Sequence, residues 1–150
     1  MKDGFKILSD CWPLVVSIAP PRIDEAGLKD FFDQHRVLIS RREKYVALTD
    51  VSPISEIPTA TIRKKVADWT REMDPMVKQY NIGTSIVVSN SLVRGAITAI
   101  HWVVPPVQDT AIVATVYEAA SFLFGVLEKH HIPVTPAMRQ YRDSTRYAAR

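Results

Sequence analysis

Three charged side chains follow strand-like segments or lie early in helix-like ones, where they could bind an anion. Asp50 follows the apolar run of residues 45–49, while Arg63 and Arg94 each fall near the start of a predicted helix. Arginines beside the free N–H groups of a helix N-terminus favour phosphate or carboxylate ligands. An ion pair of Asp50 with either arginine is the commoner arrangement of such groups. The sequence leaves a ligand site and a structural ion pair open.

The loop after residue 50 combines apolar and hydroxyl side chains. Ile54 and Ile57 lie in a stretch bounded by Pro53 and Pro58. Apolar side chains with a polar rim are typical of protein contact surfaces. Thr59 or Thr61 can cap the helix that follows. The predicted partner-binding residues are Ile54, Ser55, Ile57, Thr59 and Thr61.

The remaining reactive side chains favour structural roles. Cys11 is the single cysteine and has no basic neighbour that would activate it, so we expect it to pack. The four histidines lack the spacing of metal ligands, and no phosphate-binding or hydrolase motif occurs. We expect no metal, no cofactor and no catalytic residue. Trp69 and Trp102 fall on helical stripes and are expected in the core.

The positive charge is concentrated at the end of the chain. The net charge is +3, and residues 133–150 carry all of it, because residues 1–132 hold equal numbers of basic and acidic side chains. Phosphate binding normally needs a basic stripe on a folded face. The folded body is therefore not expected to bind nucleic acid. Contact of the arginine-rich end with a membrane surface or nucleic acid remains an alternative.

Segments rich in β-branched residues alternate with segments of helical period, a pattern typical of a sheet flanked by helices. We predict an α/β fold with a single mixed or mostly parallel sheet of four to five strands. The predicted strands are residues 5–8, 14–19, 45–49, 85–88 and 111–114, and the predicted helices are residues 24–42, 59–80, 92–104 and 115–131. Pro75 is expected to kink or split the second helix, and Gly83 to mark its exit.

The predicted organisation is one α/β domain over residues 1–132 followed by a basic tail or short helix over residues 133–150. Thr135-Pro136 could begin that helix. The chain shows neither a secretory signal nor an apolar stretch long enough to span a bilayer. We therefore expect a cytoplasmic protein without an integral membrane segment.

One stretch of the chain resembles a known family. Residues 45–52, with the sequence YVALTDVS, are similar to a strand and following loop of STAS domains, the fold of bacterial anti-sigma-factor antagonists. The succession of elements over residues 14–131 agrees with that family. The chain resembles a group of uncharacterised bacterial STAS-like proteins more closely. That resemblance rests on residues 12–15 (WPLV), the 50–52 turn, Arg63 and residues 91–96 (SLVRGA).

The resemblance implies a STAS-like sheet that recognises a protein partner. In the antagonists, a Ser or Thr that follows an Asp at the helix start is phosphorylated and releases the partner. This chain has Pro58-Thr59-Ala60-Thr61 there and lacks the Asp, so the phosphorylation of Thr59 or Thr61 is left open.

We therefore expect a non-enzymatic regulatory or scaffolding domain that binds a protein partner, or a second copy of itself, through the loop and helix after the second central strand. The alternatives are a small-ligand sensor or minor enzyme that uses Asp50, Arg63 and Arg94, and a contact made by the tail.

Overall fold

Five strands form one sheet in the order in which they occur in the chain. A computed structural model describes residues 4–148. The strands are β1 (Lys6–Cys11), β2 (Leu14–Ile18), β3 (Tyr45–Asp50), β4 (Asn81–Val87) and β5 (Asp109–Val113). The β1–β2 pair is antiparallel and the other neighbours are parallel. The predicted α/β class, with a mostly parallel sheet of four to five strands, is confirmed.

Five helices connect or follow the strands. They are α1 (Glu25–Ile39), α2 (Ala60–Tyr80), α3 (Ser91–Val103), α4 (Val116–Lys129) and α5 (Pro136–Ala148). Each begins where a short polar side chain accepts a hydrogen bond from a free N–H of the first turn, as N-caps do. These caps are Asp24, Thr59, Asn90, Thr115 and Thr135. Thr59, and not Thr61, therefore caps α2.

The helices divide between the two faces of the sheet. Because parallel crossovers share one hand, sequential strand order places the three connecting helices, α1 to α3, on one face. We call this the α1–α3 face. Helix α4 packs across β3, β4 and β5 on the opposite face, with α5 beside it.

The α4 face is closely packed. Leu48 of β3 and Leu123 of α4 are both fully buried there. Ser85 Oγ donates to the Ala119 carbonyl oxygen at 3.1 Å. A Cβ on Gly83 would lie 3.0 Å from a methyl group of Val126, so any larger residue there would require the Val126 side chain to shift. The expectation that Gly83 marks a helix exit is wrong, because β4 already begins at Asn81.

Of the two outcomes predicted for Pro75, a kink or a split, the split is wrong, because α2 continues through Pro75 as one helix. Pro75 is exposed, as is Arg71, whose carbonyl group loses its helical partner there. A carbonyl near the surface can be hydrated, so the missing N–H does not force the helix to end.

The end of the chain forms a packed helix within the described residues. Met138 of α5 is fully buried against the core beneath α4. The guanidinium of Arg142 lies 5.0 Å from the ring centres of both Tyr117 and Phe124, and that of Arg146 lies 4.5 Å from Tyr117. Of the two alternatives for residues 133–150, the structure has the helix, whereas Arg150 lies outside the described residues.

Candidate functional site

The predicted site residues lie where β3 and β4 end and α2 and α3 begin. Parallel strands bring their carboxyl ends to one edge of a sheet, where ligands and partners commonly bind in α/β proteins. The loop after β3 is attached to its neighbours through the backbone: Val51 N donates to the Val87 carbonyl oxygen and Ser55 N to that of Pro21, both at 2.9 Å. The loop therefore has a defined position on the edge.

Asp50 uses its carboxylate to shape this loop. One of its oxygens accepts hydrogen bonds from the Ser52 N–H at 2.9 Å and from the Ser52 hydroxyl at 2.6 Å. An Asp that binds the backbone two residues ahead forms a turn of its own. The side chain is half-buried, and these bonds orient it towards the loop.

The two arginines do not join Asp50. Arg63 Nη1 donates to the Pro58 carbonyl oxygen at 2.6 Å, which ties the first turn of α2 back to the loop. Arg94 is exposed on the first turn of α3. Within residues 4–148, Asp50 has no ion pair with either arginine, so the structural ion pair that the sequence left open is not formed.

Ile54 is a core residue. It is only 5% exposed and packs with Ala19, Val51, Val88 and Val93 beneath the loop. The prediction that Ile54 lies on the contact surface is therefore wrong. The loop folds over Ile54 because the strand ends leave apolar surface to cover.

The other predicted contact residues are on the surface. Ile57 is 45% exposed, and Ser55, Thr59 and Thr61 are exposed as well. Ser55 donates through both its N–H and its hydroxyl to the Pro21 carbonyl oxygen. Thr59 Oγ1 accepts from the Ile62 N–H at 3.2 Å, so its role as helix cap is confirmed.

Sequence reasoning missed Leu92, which is 63% exposed in the first turn of α3. Helical period identifies it in retrospect, since the inward residues of α3 are Val93, Ile97 and Ile100 and Leu92 lies beside that stripe. Helical period also explains the exposure of Trp102, because it lies on the opposite side of α3 from Val93. It is 82% exposed, so the expectation of a core tryptophan is wrong there.

The starts of α2 and α3 adjoin. Pro58 and Ile62 of the one and Val93 and Ala96 of the other line a single cavity of about 140 Å³. The two helix starts are therefore neighbours, and we treat their exposed side chains as one candidate surface. We call it the carboxyl-edge surface, formed by Ser55, Ile57, Thr59, Thr61, Leu92 and Arg94.

Cys11 lies away from this surface, at the end of β1 that pairs with the start of β2. Its Sγ lies 3.8 Å from the Ala137 carbonyl oxygen, and its side chain packs against the core under α4. Burial, and secondarily the charge of Asp10, raises the pKa of the thiol. A thiol that stays protonated is a weak nucleophile, which fits a packing role.

Two further structural observations concern metals and membranes. Within residues 4–148, no group of three or more His, Cys, Asp or Glu side chains is placed to hold a metal ion. None of the helices in that part of the chain has the length and apolar character needed to cross a bilayer.

No protein-family model, curated protein or solved structure matches this chain.

Proposed function

We propose that this chain is a non-enzymatic regulatory or scaffolding domain that binds a protein partner through the carboxyl-edge surface. The observation that carries the proposal is the exposure of two large apolar side chains, Ile57 and Leu92, at adjoining helix starts. Apolar groups surrounded by hydroxyl and charged side chains are the usual composition of a protein contact. The resemblance to STAS domains points to the same helix start.

The polar groups of this edge favour a contact over an anion site. Asp50 is bonded to Ser52, and Arg63 donates to the Pro58 carbonyl oxygen. Both side chains therefore stabilise the loop that presents Ile57. Of the proposed anion site, Arg94 alone keeps its charged group free of the loop, where it can pair with an acidic group on a partner.

The arginine-rich tail offers less support for a separate contact. Arg142 and Arg146 lie over aromatic rings of α4, and Arg142 is also paired with Asp143 at 3.1 Å. Cations held on aromatic faces contribute to the packing of α5. This supports the loop and helix start, and not the tail, as the partner site.

The proposal is tested with two charged substitutions that the fold tolerates. Ile57→Asp/Leu92→Asp places two carboxylates in the contact, whereas Val37→Asp changes an exposed apolar side chain near the end of α1. Each tagged protein is crosslinked in its native extract, and the recovered partners are quantified by mass spectrometry. We expect recovery to fall at least tenfold for the double variant and to stay at the wild-type level for the control.

Equal recovery with the double variant and the wild type would overturn the proposal. A second copy of this chain is one of the partners the experiment can identify. In that case the mass in solution, measured by light scattering, falls to that of a monomer in the double variant and not in Val37→Asp.

A further inference from the structure

The α1–α3 face of the sheet is incompletely filled. A cavity of about 250 Å³ lies between this face and helices α1, α2 and α3. The cavity of about 140 Å³ at the helix starts adjoins it, because Phe31, Phe32, Ile97 and Ile100 line both. The space is partly open to solvent, but side chains normally fill the room between a sheet and its covering helices, so it needs a physical reason.

The reason is the small size of the side chains under α3. In the parallel register Ala47 lies beside Thr84, and Thr84 beside Thr110, which gives a row of short side chains across β3, β4 and β5. All three line the larger cavity. Helix α3 contributes few buried side chains above this row. Within this fully described helix, Val93 is the one buried residue.

One end of the cavity carries uncharged hydrogen-bonding groups. Thr84 Oγ1 accepts from the Asn81 side-chain amide at 3.1 Å and from the Gln108 side-chain amide at 2.8 Å. Thr110 donates to the Gln108 backbone carbonyl oxygen at 3.0 Å. The side-chain carbonyl oxygen of Gln108 has no hydrogen bond to the side chains described, those of residues 4–146, so it can accept one from a ligand.

The walls select against an anionic ligand. No Lys or Arg side chain between residues 4 and 148 lines the larger cavity, and its titratable groups are His35, Tyr45, Asp74 and His101. Burial lowers the pKa of both histidines, that of His35 to about 4, so neither carries positive charge at neutral pH. The carboxylate of Asp74 adds repulsion for an anion.

We propose that this cavity is a binding site for an uncharged amphipathic small molecule, with an apolar body against Phe31, Phe32 and Ile100 and a hydroxyl or amide head group at Gln108. An apolar cavity of about 150 Å³ takes up benzene, so a cavity of 250 Å³ takes about ten non-hydrogen atoms. This binding site is separate from the proposed partner contact, because none of the residues of the carboxyl-edge surface lines the cavity.

Four probes of one length test the proposal: 1-octanol, octanamide, octanoate and octylammonium. Their binding is followed by chemical shifts of isotope-labelled protein and by the rise of the melting temperature, because a ligand that binds only the folded state stabilises it. We expect saturable one-to-one binding of octanol and octanamide at resonances of Ile97, Ile100 and Thr110. Octanoate and octylammonium are expected to bind at least tenfold more weakly, because their charges must lose water.

Two variants locate the site. Thr110→Leu fills the cavity from the edge strand and is expected to abolish octanol binding while raising the melting temperature of the free protein. Thr98→Leu makes the same change on α3 outside both cavities and is expected to bind octanol as the wild type does. Gln108→Met removes the head-group contact and is expected to weaken octanamide about fivefold.

The proposal is overturned if octanol and octanamide give no saturable shifts up to their solubility limits, or if Thr110→Leu binds octanol like the wild type. Tighter binding of octylammonium than of octanol would assign the cavity to cations at Asp74, and tighter binding of octanoate would assign it to anions. Either result contradicts an uncharged ligand.

Discussion

Ser17 and His35 form a buried polar pair between β2 and α1. The Ser17 hydroxyl and His35 Nε2 lie 3.3 Å apart, and the imidazole ring packs 4.4 Å from the ring centre of Phe31. A buried imidazole is costly to charge, and burial accordingly lowers its pKa from 6.5 to about 4. The pair is compatible with the apolar surroundings only while the histidine is neutral.

This pair makes the stability of the fold depend on pH. Between pH 6.5 and pH 4 the unfolded chain binds a proton at His35 that the folded chain does not, so the free energy of unfolding falls as the pH falls. We expect His35 to account for a loss of about 3 kcal/mol between pH 7 and pH 4. Urea unfolding of the wild type and of Ser17→Ala/His35→Phe over that range measures it. The variant should have the shallower pH dependence, and parallel curves would contradict the assignment to His35.

At the scale of elements, the succession of strands and helices could be predicted from β-branched segments, helical period and caps. Every helix begins at a cap that the sequence displays, including Asp24 and Thr115. The errors lie where one residue type has two physical uses. Gly83 allows close packing against Val126 and does not end a helix, and Pro75 lies on an exposed helix face where its missing N–H is tolerated.

The packing of α5 could not be predicted from the sequence. The sequence left a basic tail and a short helix open. In the structure Arg139, Arg142 and Arg146 recur at helical spacing and lie against the rings of Phe124 and Tyr117. Only the fold brings these rings, more than a dozen residues earlier in the chain, to the same place. The aliphatic stems and guanidinium groups of these arginines are therefore part of the packing of α5 and do not form a free basic patch.

Helix α5 is therefore expected to contribute to global stability. Met138→Ala removes a fully buried side chain and should lower the free energy of unfolding by about 2–5 kcal/mol. Gln140→Ala changes an exposed position of the same helix and serves as the control. Urea denaturation compares the three proteins. Equal midpoints for Met138→Ala and the wild type would show that α5 is not part of the cooperative unit.

At the scale of the whole molecule, the two faces of the sheet differ in how well they are filled. The α4 face joins strand and helix so closely that a Cβ on Gly83 would meet a methyl group of Val126 at 3.0 Å. The α1–α3 face leaves a cavity of about 250 Å³ over Thr84 and Thr110. Threonine fits strands by its β-branched shape, so a strand pattern alone does not show that these side chains are too small to fill the space below α3.

The candidate surface could be predicted only in part. The sequence identified the loop and the exposed residues Ile57 and Thr61, because proline-bounded loops after parallel strands meet at one edge. It could not separate Ile54 from Ile57, since burial within an irregular loop follows from the path of the backbone and not from a period. Leu92 joins the surface only because α2 and α3 start side by side.

The proposed partner contact is tested by hydrogen exchange of this protein alone and in complex with the protein recovered in the crosslinking experiment. We expect at least tenfold slower exchange in the peptides that contain residues 55–63 and 91–95, with α4 and α5 unchanged. Protection confined to α5, or to the end of α3 around Trp102, would contradict it.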